Sequence, residues 1–165
     1  MQRQIRTWIT VMLLGVAAAT LRSSPSAAQA SRENDVAIVA NPSVPVNDLS
    51  LPELRKIFRG ERQYWSSDLP VVLLVRAPVA RERDVVLRVI YQMTEAQYKQ
   101  FWVAKIFRAE AVSVPKLVYS NDMTTQLTTS LPGAISFIDA KQIGQGTKVI
   151  SVNGKKPGEA GYPLR

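Results

Sequence analysis

The chain has 165 residues, 21 of them Lys or Arg against 13 Asp or Glu, with no cysteine and no histidine. Those absences exclude disulfides and thiolate metal sites and remove the commonest nucleophile and general base, so catalysis would need carboxylate, lysine or serine chemistry. The net charge of +8 is spread along the chain with no Lys/Arg run or stacking motif, a poor fit to nucleic acid.

Residues 1–30 have the layout of a secretory signal. Arg3 and Arg6 start it, an apolar run follows from Trp8 to Ala19, and a polar stretch leads to the small-x-small site Ala28-Gln29-Ala30. The apolar run is short for a hydrocarbon core of about 30 Å. Export to the periplasm with cleavage after Ala30 is therefore expected, and no cysteine follows to carry a lipid. Losing Arg3, Arg6 and Arg22 leaves 18 basic against 13 acidic residues in a mature chain of 135, enough for one domain with a single core. The excess is compatible with a preference for anions.

The mature chain reads as alternating strands and helices. Val36 to Asn41 is a continuous apolar run expected to be a strand buried on both faces. After Asn41-Pro42 and Val44-Pro45, Ser50 and Glu53 form a capping box for a helix whose apolar face is Leu51, Leu54, Ile57 and Phe58, ended by Gly60. Tyr64 and Trp65 lie in a polar stretch from Glu61 to Asp68 and are expected to act as lids on the core. Leu69 to Val75 is the second buried strand, and Arg76 to Arg83 a turn entering a helix with Val85, Val86, Val89, Ile90 and Met93 on its apolar face. Thr94 and Gln97 cap a helix to about Arg108, with Tyr98, Phe101, Trp102 and Ile106 on one face. Lys116 to Tyr119 is a short strand, and Ser120 to Asp122 start a helix through about Ser130. Leu131-Pro132-Gly133 turns into the strand Ala134 to Ile138, and Thr147 to Val152 is the last strand. An α/β domain over residues 31–154 with a mixed or mainly parallel sheet flanked by helices is expected. The Gly- and Pro-containing tail, residues 155–165, is expected to be ordered only in part.

Five stretches resemble one lobe of the phosphate-binding proteins of ABC transporters, of the type II periplasmic binding protein fold. They are VAIVANPSVPVNDLSLPELRKIFRGERQYW at Val36 to Trp65, VVLLVRA at Val71 to Ala77, MTEAQYKQFW at Met93 to Trp102, LPGAISFID at Leu131 to Asp139 and KVISVNGKKP at Lys148 to Pro157. The resemblance implies a single lobe of a two-lobed fold that clamps a tetrahedral oxyanion, here without room for the second lobe. The family's anion pattern is arginine, any residue, acid, glycine, serine, glycine, threonine. Laid on this chain it falls on Arg76, Ala77, Pro78, Val79, Ala80, Arg81 and Glu82, so only the arginine is kept. Val79 and Arg81 replace glycines, and Glu82 places a carboxylate where the oxyanion would sit.

Two functions follow. One is a periplasmic solute-binding-like domain for phosphate or another small oxyanion, serving ABC transport or sensing, with Arg76, Ala80, Arg81 and Arg83 as the ligand-binding set. The other is a ligand-free interaction module docking on a membrane transporter, a sensor or a second copy of itself. Arg81 and Arg83 either neutralise Glu82 and leave Arg76 free for a ligand, or join it in a solvated salt-bridge cluster. No cofactor, metal or catalytic residue is expected. The acids Glu33, Asp35, Asp122 and Asp139 have no spacing that makes a catalytic pair.

Overall fold

The computed structural model describes residues 34–111 and 113–165; the secretory leader read in residues 1–30 lies outside them. Strand β1 (Val36–Ala40) has all five residues buried, as its unbroken apolar run requires. Two short pieces follow, β2 (Asp48–Leu49) and helix α1 (Leu51–Phe58). The expected capping box forms: Glu53 N–H donates to Ser50 Oγ at 3.3 Å, and Ser50 N–H donates to the Glu53 carboxylate at 2.9 Å. The Ser50 bonds hold the Glu53 carboxyl below its usual range.

The polar stretch after α1 carries a small hairpin that the sequence pattern did not reveal, β3 (Tyr64–Ser66) against β4 (Leu69–Pro70). Trp65 caps the core and its indole N–H donates to the Gly133 carbonyl at 2.9 Å, whereas Tyr64 is half exposed. Strand β5 (Val72–Arg76) then enters the sheet.

The helix expected after the Arg76 to Arg83 turn starts within that turn, at Arg81, and is not uniform. α2 (Arg81–Val86) widens into a π-helical turn at Leu87–Tyr91 and stops at Gln92, which is left-handed with φ 57°. β-Branched residues crowd an α-helix, and the wider turn brings Ile90 and Tyr91 inward together. The Tyr91 hydroxyl reaches the Phe58 carbonyl at 2.8 Å.

α3 (Glu95–Phe107) starts at the Thr94–Gln97 capping box. Its buried stripe is Tyr98, Trp102 and Lys105; Ile106, expected on that face, is half exposed. The Lys105 ammonium sits 5.4 Å from the Phe101 ring centre, which lets the apolar stem lie inward.

β6 (Lys116–Val118), α4 (Asn121–Ser130), β7 (Ala134–Asp139) and β8 (Lys148–Val152) complete the order. The main sheet runs β2-β8-β1-β7-β5-β6. β5 is parallel to β6 and β7, β2 is parallel to β8, and β1 is antiparallel to β7 and β8, so the sheet is mixed and mainly parallel as expected. Alternation divides the strands between two cores. Ile38, Leu73, Val75 and Phe137 pack with α1, the π-helical turn and α3, while Leu74, Val118 and Ala134 pack under Met123 and Leu127 of α4.

Two polar devices close the frame. Asn41 donates through Nδ2 to the Thr128 and Thr129 carbonyls, both at 2.9 Å, answering the free C-terminal end of α4. At Gly133, φ is 73° and a Cβ would lie 2.1 Å from the Pro70 carbonyl oxygen, so the Leu131-Pro132-Gly133 turn admits no side chain there.

The tail departs from its expected partial order. Leu164 is fully buried, its carbonyl accepts from Val36 N–H at 2.9 Å, and the Tyr162 hydroxyl donates to the Val36 carbonyl at 2.7 Å. The buried Asp35 carboxylate accepts from Gly158 N–H at 2.6 Å and Arg165 Nε at 2.9 Å. Burial, with the Asp35 charge nearby, pushes the Tyr162 phenol up. Pro and Gly content marks turns, and these turns carry a packed return to β1. Leu164→Ala is expected to cost about 3 kcal/mol in urea denaturation; a loss within about 0.5 kcal/mol would mean the tail is peripheral to the fold.

Candidate functional site

The topology gathers the chemistry at one edge of the sheet. β5, β6 and β7 are parallel, so their carboxyl ends and the segments that follow emerge on the same side, beside the start of β1. In open α/β sheets this is the edge at which ligands bind. Arg76 ends β5 opposite Val118 of β6, and Ala77 N–H continues the ladder to the Val118 carbonyl at 2.9 Å.

The structure separates the residues that the sequence suggested would act together. Arg83 is 3% exposed and fully engaged: Nε and Nη2 donate to the two Glu95 carboxylate oxygens at 2.8 and 3.0 Å, and Nη1 donates to the Arg76 carbonyl at 2.6 Å. Its guanidinium lies 4.6 Å from the Tyr98 ring centre. Burial raises the Tyr98 phenol, partly offset by this positive charge. Arg83 thus ties α2 and α3 to the end of β5.

Arg81 sits at the rim, donating to the Asn34 carbonyl at 2.8 Å and pairing with Asp139 at 3.2 Å. Neither arginine is bonded to Glu82. Ala80 is the N-cap of α2 and offers no side-chain acceptor, whereas Ser50, Thr94 and Ser120 each cap their helices.

Arg76 is different. It is 8% exposed, and its Nε and Nη1 are shielded from solvent with no hydrogen-bond partner. Alternation along β5 puts it on the face of Leu74, beneath α4, and so on the opposite side of the sheet from Tyr98 and the Arg83 guanidinium stacked on it. The N-cap of α4, Ser120, lies two residues beyond Val118, the strand partner of Arg76. Ser120 Oγ accepts from Met123 N–H at 3.0 Å. Asn121 Nδ2 donates to Gln142 Oε1, and Asn121 Oδ1 is buried without a donor. Ser120 and Asn121 were not among the residues the sequence singled out. The β5–β6 register places them just beyond Val118, at the same edge of the sheet as Arg76.

The acids do not converge. Asp35 is held by Arg165 and Gly158, Asp139 pairs with Arg81 and caps Lys141 N–H at 2.9 Å, and Asp122 is exposed. Among the described residues no group of three or more His, Cys, Asp or Glu could hold a metal. No described helix is long and apolar enough to cross a membrane.

No family model matches the sequence. The structure superimposes on an ABC-type phosphate transport receptor from Vibrio cholerae with a TM-score of 0.60 at 21% identity, over 74% of this chain and 48% of that one. It superimposes on PstS from Borrelia burgdorferi with a TM-score of 0.58 at 19% identity, over 74% and 49%. A structure with bound phosphate from Clostridium perfringens, described as a phosphate ABC transporter substrate-binding protein, gives 0.60 at 17%, over 74% and 46%. The fold is that of a phosphate-receptor lobe. The chain spans about half the length of the receptors it matches.

The loop where the resemblance places the receptors' glycines keeps a glycine-like backbone. Val79 has φ 69°, in the left-handed region that a β-branched residue avoids, and is 99% exposed. No packing of its side chain compensates the strain. Val79→Gly is expected to raise stability by about 1 kcal/mol, the relieved strain exceeding the entropy glycine adds to the unfolded chain. A fall in the denaturation midpoint would show that the loop does not hold this conformation.

Proposed function

We propose that the domain is an extracytoplasmic solute-binding module for a small oxyanion, phosphate among them, acting in ABC transport or sensing. The leader read in residues 1–30 delivers it to the periplasm, with cleavage after Ala30. One observation carries this reading: Arg76 keeps a buried guanidinium with two unpartnered nitrogens at the ligand edge of a phosphate-receptor fold. A guanidinium does not shed its charge on burial, and an oxyanion matches its fork of donors. Arg83 and Arg81 support this site from outside it. Arg83 fixes the end of β5 through the Arg76 carbonyl, and Arg81 pins the rim to β7.

Titration calorimetry of the mature protein with phosphate, sulfate and acetate is expected to give saturable heat for at least one anion. Arg76→Ala abolishes it, and Arg76→Lys, which keeps the charge but loses the planar fork, retains only part. No heat at millimolar anion, or unchanged binding by folded Arg76→Ala, refutes the reading.

A second reading, an interaction module for a transporter, a sensor or a second copy, is favoured by a different surface. Ile106 and Val103 of α3 and Val114 and Leu117 at the edge strand β6 are each about half exposed, and Phe107 is 86% exposed. With Pro78, Tyr98 and Trp102, four of them line a groove of about 330 Å³. Apolar surface of this kind marks association sites. On this reading the wild type sediments above its monomer mass or crosslinks to a periplasmic partner, and Ile106→Lys with Leu117→Lys ends the association. A strict monomer with no crosslinked partner rejects it.

A further inference from the structure

Resting on the anion reading, we infer that the oxyanion is held between Arg76 and the N-terminus of α4, with Ser120 and Asn121 at its side, and not at the start of α2. The resemblance directs attention to α2 because the receptors' glycine- and hydroxyl-rich pattern falls there. The side chains point elsewhere.

α2 is a poor anion cradle. It has six residues before the backbone widens, and its first turn carries Glu82 and Asp84, whose charges oppose an anion. The arginines beside it are consumed: Arg83 by Glu95, and Arg81 by Asp139 and the Asn34 carbonyl.

α4 has the missing parts. It runs ten residues from Asn121 to Ser130, so its aligned peptide dipoles and first-turn N–H groups favour negative charge. Arg76 lies on the face of β5 that α4 covers and is more than nine-tenths buried, with Nε and Nη1 unpaired. Register places it across from Val118, two residues before the cap. A strand-borne guanidinium and a helix N-terminus therefore share one face at the carboxyl edge of the sheet.

The buried Oδ1 of Asn121 lacks a donor, and in this cradle it would accept from an anion that carries a proton. Hydrogen phosphate or a hydroxyl-bearing oxyanion supplies that proton and sulfate does not. Asp122, exposed in the same first turn, is the opposing charge. Asp139 is paired with Arg81, and Thr124 is turned onto the Ser120 carbonyl at 2.8 Å. The shared chemistry is an oxyanion, free or as the end of a larger molecule.

The test titrates inorganic phosphate, sulfate and glycerol 3-phosphate into the mature protein while following backbone amide shifts. Phosphate is expected to move Asn121, Asp122 and Met123 more than Arg81, Glu82 and Arg83. Asn121→Asp should weaken phosphate about tenfold and Asp122→Asn should tighten it, with Ala80→Asp changing it less than about twofold. Wild type should prefer phosphate to sulfate. Glycerol 3-phosphate binding as tightly as phosphate marks a bound end group, and weaker binding marks a free anion; both fit the cradle.

If Ala80→Asp abolishes binding, or the largest shifts fall at 81–83, the anion sits at α2 and this inference fails while the anion reading stands. If no amide moves and no variant matters, both fail. Because the wild-type shifts locate the anion without any substitution, an unfolded variant does not blunt the result.

Discussion

Arg76 carries a charge that burial cannot remove, in a place where two of its three nitrogens are out of contact with water. Removing an ion from water without a partner costs several kcal/mol, on the order of the net stability of a small domain. Arg83 shows what compensation looks like in the same molecule. At similar burial it makes two bonds to Glu95, one to a carbonyl and a ring contact. Arg76 makes no such bonds through Nε or Nη1 while ending the strand that pairs in parallel with both β6 and β7. A fold that tolerates this cost without return would gain by replacing the arginine with an apolar residue. On the proposed reading, an oxyanion supplies the return.

The rest of the structure holds that arginine in position. β5 is flanked by β7 at its start and by β6 at its end, so Arg76 is held by the β6 ladder through its pairing with Val118. Arg83 grips the Arg76 carbonyl from the α3 side, and α4 covers the side-chain face. α4 in turn is held at its far end by Asn41, whose amide takes two of its last carbonyls. Asn41 follows β1, and β1 is clasped at its start by the tail through Asp35, Tyr162 and Leu164. The Asn-Pro that opens the domain and the Gly- and Pro-containing tail are thus parts of one frame whose loaded point is the end of β5.

What the sequence made legible follows from how local each signal is. The two capping boxes, the apolar runs of β1 and β7 and the serine cap of α4 depend on residues within a turn of one another, and all form. The break in α2 was less legible because β-branched residues still show a helical period while favouring a wider turn. The exposure of Ile106 and the buried tail depend on packing against distant elements. The site suffered most. Arg76 was visible as the kept arginine of a family pattern, but its partners were sought along the chain at 80–83, and side-chain alternation sends it to the other face of the sheet. Ser120 and Asn121 are more than forty residues away in sequence and come to the same sheet edge only through the β5–β6 register. Losing the family glycine at Val79 did not lose its backbone conformation. The loop keeps the left-handed conformation at Val79, φ 69°, and bears the strain.

On the proposed reading, the Arg76 guanidinium is retained for an anion. The most direct measurement is the Nε–H resonance of Arg76 during a phosphate titration, assigned by its loss in Arg76→Lys. A saturable shift of that resonance is expected, with slowed exchange of its proton, while the Arg83 Nε–H, already bonded to Glu95, stays in place. An Arg76 Nε–H that is unmoved at saturating phosphate, or one that shifts only in step with bulk ionic strength, would contradict it.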